Sequence, residues 1–148
     1  MNTKKVTLII SSTIENLDAS GLVYGDAERD SIKTEGDFFF SPSVSKISYV
    51  EEREGARVEC TISVKEGEIS VERRGSVECL MLFSVGKARK TLYKVPPFTF
   101  DMTTELIRQR NELSENGGTL TLLYKMNVGG ADKKVKMTVS LEACNDIK

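Results

Sequence analysis

The chain has 148 residues, of which 39% are apolar and 29% charged, a balance typical of one folded globular domain. Its 21 basic and 22 acidic side chains leave a formal net charge of -1, so no overall field favours nucleic acid or an anionic membrane as a partner. Histidine, the commonest general base and metal ligand, does not occur. We therefore expect no metal site, no cofactor and no enzymatic activity.

The N-terminal sequence and the cysteines predict a cytoplasmic protein. Val6–Ile10 is apolar but is followed at once by Ser11, so the run is shorter than the roughly 7 to 15 residues of a signal-peptide core. No stretch approaches the roughly 20 apolar residues of a membrane span. Cys60, Cys79 and Cys144 are widely spaced and odd in number, which suits a reducing compartment. Because no histidine is present to lower a thiol pKa, we expect none of the three to be a nucleophile.

Short segments that alternate apolar and polar residues, separated by glycine-centred turns, predict an all-β domain. In Val58–Val64 every second residue is apolar, and Val135–Leu141 shows the same pattern, which places one strand face in a core and the other in water. The predicted strands are Lys4–Ser12, Ser31–Phe40, Lys46–Arg53, Arg57–Val64, Ile69–Arg73, Val77–Ser84, Lys87–Tyr93, Thr99–Thr104, Gly118–Asn127 and Asp132–Glu142. Consecutive tight hairpins favour a meander that closes on itself. We therefore predict a single antiparallel up-and-down β-barrel of about eight to ten strands over residues 1–148.

Two segments do not follow this alternation. Ile14–Ser31 is polar and is predicted to be a connection. In Thr103–Glu115, Thr104 could cap a helix that Asn116 and Gly117 would end. The same residues could equally form one more strand of a meander, and the local pattern leaves both alternatives open.

Several short pieces occur in an order and spacing similar to those of a known family. They are Ser48–Glu52, Ile69–Gly75, Phe83–Gly86, Tyr93, Pro96, Thr104, Gly118–Tyr124 and Met126–Gly129. Through them the stretch from Ser48 to Leu141 resembles the YwiB-like family of small uncharacterised bacterial proteins, which have a calycin-type (lipocalin-like) barrel. The resemblance implies that fold and a strand over Leu106–Leu113, and it implies no activity. Where the family tends to have a glycine after Pro-Phe, this chain has Pro96-Pro97-Phe98, which predicts a differently built turn.

Polar residues on apolar strand faces predict a cluster inside the barrel. Tyr49 and Glu51 share one strand face, and Arg73 and Tyr124 each share a face with apolar residues. If these faces line the lumen, the cluster comprises Tyr49, Glu51, Arg73, Tyr93, Thr104 and Tyr124. A buried Arg73–Glu51 pair among phenols would orient the polar head of a small hydrophobic or amphipathic ligand. The alternative is a structural or protein-interaction barrel, in which the same pair only completes a filled core.

One strand is apolar on both faces. Leu80 and Leu82 point away from the face that carries Cys79 and Met81, so in a closed barrel they lie outside. We expect a second copy of the chain to cover them in a homodimer. The alternative is that Ile14–Ser31 folds over the same strand.

Overall fold

The computed structural model describes residues 3–143, which form ten antiparallel strands and no helix. The strands are β1 (Thr3–Leu17), β2 (Val23–Phe40), β3 (Val44–Arg53), β4 (Ala56–Lys65), β5 (Glu68–Gly75), β6 (Glu78–Ser84), β7 (Ala88–Val95), β8 (Phe98–Ser114), β9 (Gly117–Val128) and β10 (Ala131–Ala143). Each strand pairs with the next in sequence, and β10 returns to pair with β1, which closes the barrel. The predicted antiparallel up-and-down barrel is confirmed.

Inward-facing apolar side chains form one core. We call the end of the barrel that carries the β1–β2 and β9–β10 turns the upper end, and the opposite end the lower end. The largest fully buried side chains are at most 1% exposed and are Leu8, Phe38, Ile47, Ile62, Ile69, Phe83, Met102, Leu120 and Leu122. Burial of each contributes about 1.5–3 kcal/mol. They fix the register, since a slip by one residue would turn a whole strand face outward.

The predicted connection Ile14–Ser31 is wrong, because these residues form the upper part of the β1–β2 hairpin. Ile14 pairs with Glu28 and Asn16 with Tyr24, with a bulge between the two positions. Most of the β2 side of this hairpin is exposed. It therefore lacks the alternation that marks a half-buried strand.

The ambiguous segment is strand, as the family resemblance implies. β8 continues through it to Ser114 and carries a bulge between Leu106 and Arg108. Ile107 is the extra residue, so the inward face changes from even to odd positions at this point. Leu106 and Leu113 both contact the core although they are seven residues apart, a spacing that also suits a helix.

Two of the ladders, β2–β3 and β6–β7, are short. β2 pairs with β3 only from Gly36, opposite Tyr49, down to Phe40. A Cβ at Gly36 would lie 2.3 Å from the Ser48 carbonyl oxygen, so only glycine permits the strands to approach there. Above this point the two strands part.

β6 pairs with β7 at Glu78–Lys94 and Cys79–Tyr93, and the ladder then opens. The hydroxyl of Thr104 on β8 donates a hydrogen bond of 2.8 Å to the carbonyl oxygen of Leu82 on β6. Thr104 thereby joins two strands that are not neighbours in the ladder and completes the wall. The following β7–β8 turn contains a cis peptide bond between Pro96 and Pro97.

Within residues 3–143 no helix is long and apolar enough to cross a membrane.

Candidate ligand cavity

The upper half of the barrel encloses a cavity of about 270 Å³. Side chains from every strand except β4 line it: Ile10, Ser12, Ile14, Asp30, Ile32, Tyr49, Glu51, Arg53, Val71, Arg73, Cys79, Met81, Tyr93, Met102, Tyr124, Met126, Val135 and Met137. The charged members lie near the upper ends of β3 and β5 and on the upper part of β2, whereas the deeper lining is apolar. The cavity therefore has a polar mouth and an apolar floor.

Four charged side chains form a chain of ion pairs at the mouth. Arg73 Nη2 lies 3.1 Å from Glu51 Oε2, and Arg53 Nε lies 3.1 Å from Glu51 Oε1. The guanidinium of Arg53 also holds both carboxylate oxygens of Asp30, with Nη1 3.0 Å from Oδ1. Glu51 thus bridges two arginines, and the whole group carries no net charge.

The predicted contact between Arg73 and Glu51 is present, but the prediction that Arg73 is buried is wrong. The side chains are 26% and 19% exposed, respectively. The reason is their position near the upper rim, where β2 and β3 have already parted. Such a pair is partly solvated, so it costs less desolvation than a buried pair.

Residues opposite one another in successive strands place two thiols and two phenols beside Arg73. Tyr49 pairs with Cys60, Cys60 with Arg73, Arg73 with Cys79, and Cys79 with Tyr93. Burial raises the pKa of Tyr49 and of Tyr93 above the ordinary phenol range. Both phenols therefore keep their protons at neutral pH and can donate hydrogen bonds.

Tyr124 lies deeper in the same cavity. Its ring contacts Phe83 with centroids 4.6 Å apart, and burial raises its pKa above the ordinary range. The contact fixes the ring on the floor of the cavity.

The two described cysteines are buried free thiols. Burial raises the pKa of Cys60 and of Cys79, and the charge of Arg73 between them only partly offsets this. Strand β5 lies between them, so they are two strand spacings, about 10 Å, apart, which is too far for a disulfide. Cys144 lies outside the described residues.

Of the six predicted cluster residues, five line the cavity and Thr104 does not. Thr104 is buried, and its hydroxyl is used by Leu82, so its role is in the wall. The sequence prediction also missed Arg53 and Asp30. Arg53 shares a strand face with Tyr49 and Glu51, a signal that was available, whereas Asp30 lies in the hairpin predicted as a connection.

Every methionine in the described part of the chain lines this cavity. They are Met81, Met102, Met126 and Met137, from four different strands. Methionine is flexible and polarisable, so a wall built from it adapts to ligands of different shape. This feature was also missed, although alternation places each of the four on an inward face.

A second concavity of about 720 Å³ lies on the outer surface where β2 and β3 part. It is open, and many of its lining side chains are charged, including Lys33, Glu35, Glu52 and Glu59. Within residues 3–143 no group of acidic or cysteine side chains is arranged to hold a metal ion. The inner cavity is therefore the better candidate site.

The outer face of β6 carries part of the predicted apolar patch. Leu80 is 38% exposed and Leu82 is half-buried, while Leu92 on β7 is 48% exposed. Ile14–Ser31 forms strands on the opposite side of β3–β5, so it does not cover Leu80.

The fold and the cavity define a class of protein: a closed ten-stranded meander barrel with a small, polar-mouthed internal cavity. The chain belongs to the family described as a domain of unknown function (DUF1934), which residues 22–140 match. It is 27% identical over 138 residues to the uncharacterised β-barrel protein YwiB of Bacillus subtilis, covering 93% of this chain and 92% of that protein. The crystal structure of that ywiB protein matches with a TM-score of 0.82 at 26% identity, covering 97% of this chain and 94% of the other. The predicted YwiB-like resemblance is confirmed.

Proposed function

We propose that this protein is a small-molecule-binding barrel of the cytoplasm, and that its upper cavity takes a small hydrophobic or amphipathic ligand. The observation that carries the proposal is the combination of an adaptable, methionine-rich apolar lining with a charged mouth. Ligand sites combine apolar walls with a few polar groups that fix orientation in this way. With no histidine in the chain, we propose binding rather than catalysis.

A structural or protein-interaction role is the second candidate. It is favoured by the ion pairs at the mouth, which neutralise one another without a ligand, and by the exposed Leu80 and Leu92 on the outer wall. In that case the outer surface carries the function, and the cavity stays without a specific ligand.

Native mass spectrometry of the freshly purified full chain tests the proposal. We expect a stoichiometric adduct on the folded protein, which denaturation releases and liquid chromatography with mass spectrometry identifies. Protein prepared from several growth conditions that is always adduct-free would contradict ligand binding and favour the structural role.

A matched pair of substitutions locates the adduct. Met126→Trp places a large ring in the cavity, since Met126 lines it, and should abolish the adduct. Leu123 lies three residues earlier on β9 and on its outward face, so Leu123→Trp should leave the adduct unchanged. An adduct that survives Met126→Trp in folded protein lies elsewhere.

A further inference from the structure

The hydrogen-bonding groups of the cavity are not balanced between donors and acceptors. Two carboxylates line it, Glu51 and Asp30, and arginines already occupy both oxygens of each. Arg53 divides its guanidinium between these two carboxylates. A ligand that enters the cavity therefore meets carboxylates that are already neutralised.

Arg73 is the exception among the four charged groups. The guanidinium of Arg73 has five N–H donors. Within residues 3–143 it contacts a carboxylate only through Nη2, which binds Glu51. The thiol of Cys60 is also a neighbour, but sulfur is a weak acceptor. Arg73 thus retains N–H donors that no carboxylate of the described residues occupies, and its side chain lines the cavity.

The phenols add further donors near Arg73. Tyr93 pairs across the strands with Cys79, the direct neighbour of Arg73, and Tyr124 lies deeper on β9. Both line the same cavity as Arg73. Hydrogen bonds to a charged acceptor are shorter and stronger than neutral ones, so these groups together favour an anion.

We propose that the ligand is a compact apolar acid whose carboxylate accepts hydrogen bonds from Arg73 and a neighbouring phenol, with its apolar part among the methionines. The proposal rests on the proposed function and names the ligand class. A cavity of about 270 Å³ has the volume of about nine water molecules at roughly 30 Å³ each, which limits the ligand to a short chain or a single ring. A cationic head would instead need a free carboxylate, and both carboxylates in the lining are paired.

A series of ligands with one chain and three heads tests the proposal. Octanoate, octan-1-ol and octan-1-amine are titrated into the full chain and followed by isothermal titration calorimetry. We expect octanoate to bind about tenfold more tightly than the other two ligands, because one charge-assisted hydrogen bond raises an affinity by about this factor. Equal binding of all three, or tighter binding of the alcohol or the amine, overturns the acid proposal but leaves a ligand-binding barrel. Binding of none of them contradicts both proposals.

Variants separate the head from the chain. Arg73→Met should remove the preference for octanoate while binding of octan-1-ol stays within a factor of about two, because the apolar wall is intact. Arg73→Lys retains a charge and should keep part of the preference, which provides the test if Arg73→Met does not fold. Arg110→Met removes an exposed arginine on β8 and is the control. The proposal is overturned if an Arg73 variant, Arg73→Met or Arg73→Lys, prefers octanoate as strongly as the control Arg110→Met does.

Discussion

Glu51→Gln tests the charged mouth most sharply, because Glu51 is the one residue of the group that joins two arginines. Its two oxygens lie 3.1 Å from Arg53 Nε and 3.1 Å from Arg73 Nη2. Glutamine keeps the shape and one acceptor oxygen but removes the charge. Arg73 is then left in a half-buried position beside the thiols of Cys60 and Cys79 without a counter-charge.

The magnitude follows from the exposure of the two arginines. The hydrogen bond to Arg73, which is 26% exposed, falls in the class of charged hydrogen bonds that contribute about 1.5–3 kcal/mol. The contact with Arg53, which is 42% exposed, is largely screened by solvent and adds at most about 1 kcal/mol. Because glutamine can still accept one hydrogen bond, we expect a loss of about 1.5–3 kcal/mol in the free energy of unfolding.

Equilibrium urea unfolding followed by far-UV circular dichroism measures this loss. At an m-value of about 1–3 kcal/mol/M the midpoint should fall by about 1 M with an unchanged slope. Glu112→Gln is the matched control, since Glu112 pairs with Arg110 at 3.2 Å on the surface and the two are 53% and 75% exposed. It should change stability by less than about 0.5 kcal/mol. A Glu51→Gln midpoint equal to that of Glu112→Gln would refute the reasoning.

Three further predictions concern the mouth, the thiols and the outer wall. The hydrogen bond from Arg53 lowers the pKa of Asp30 in the folded protein. The pair therefore stabilises the fold fully above the unfolded-state pKa of about 3.9, and this stabilisation is lost as the pH falls through the lower pKa of Asp30 in the folded state. The difference in unfolding free energy between wild type and Asp30→Asn should be constant above about pH 5 and shrink below about pH 4, and a difference that grows in acid contradicts this. Burial raises the pKa of the Cys60 and Cys79 thiols, so both should be unreactive in the folded protein. In a Cys144→Ser background, mass spectrometry should show that iodoacetamide labels neither thiol in the folded protein and both in urea. Rapid labelling of the folded protein would contradict this prediction. Sedimentation should show a dimer that Leu80→Glu/Leu82→Glu converts to a folded monomer, whereas a wild-type monomer of 16.4 kDa at high concentration would exclude the homodimer.

The barrel could be predicted because its inward faces alternate with period two over most strands. The one segment predicted wrongly and the one left open between helix and strand are those where this alternation fails. In β8 the bulge at Ile107 changes the inward face, so Leu106 and Leu113 take a spacing that also fits a helix. In the upper β1–β2 hairpin most β2 residues are exposed, and polar residues on both faces are typical of loops.

The candidate site could be predicted in part for the same reason. The alternation of side chains along each strand predicts that Tyr49, Glu51 and Arg73 face inward. It does not predict how close two strands lie to each other around the barrel. Asp30 was missed because its strand was missed. The inward face of Thr104 predicts a place in the lumen, but the β6–β7 ladder is open there and the Thr104 hydroxyl closes the wall at Leu82.

The most direct test of the ligand cavity uses its methionines. Protein labelled with ¹³C at the methionine methyl groups gives five signals, from Met1 and from the four residues that line the cavity: Met81, Met102, Met126 and Met137. Titration with octanoate, or with a molecule released from the purified protein, should shift several of the four cavity signals in a saturable way. Saturable binding that shifts none of the four cavity methyls would contradict the account, since the ligand would then lie outside the cavity.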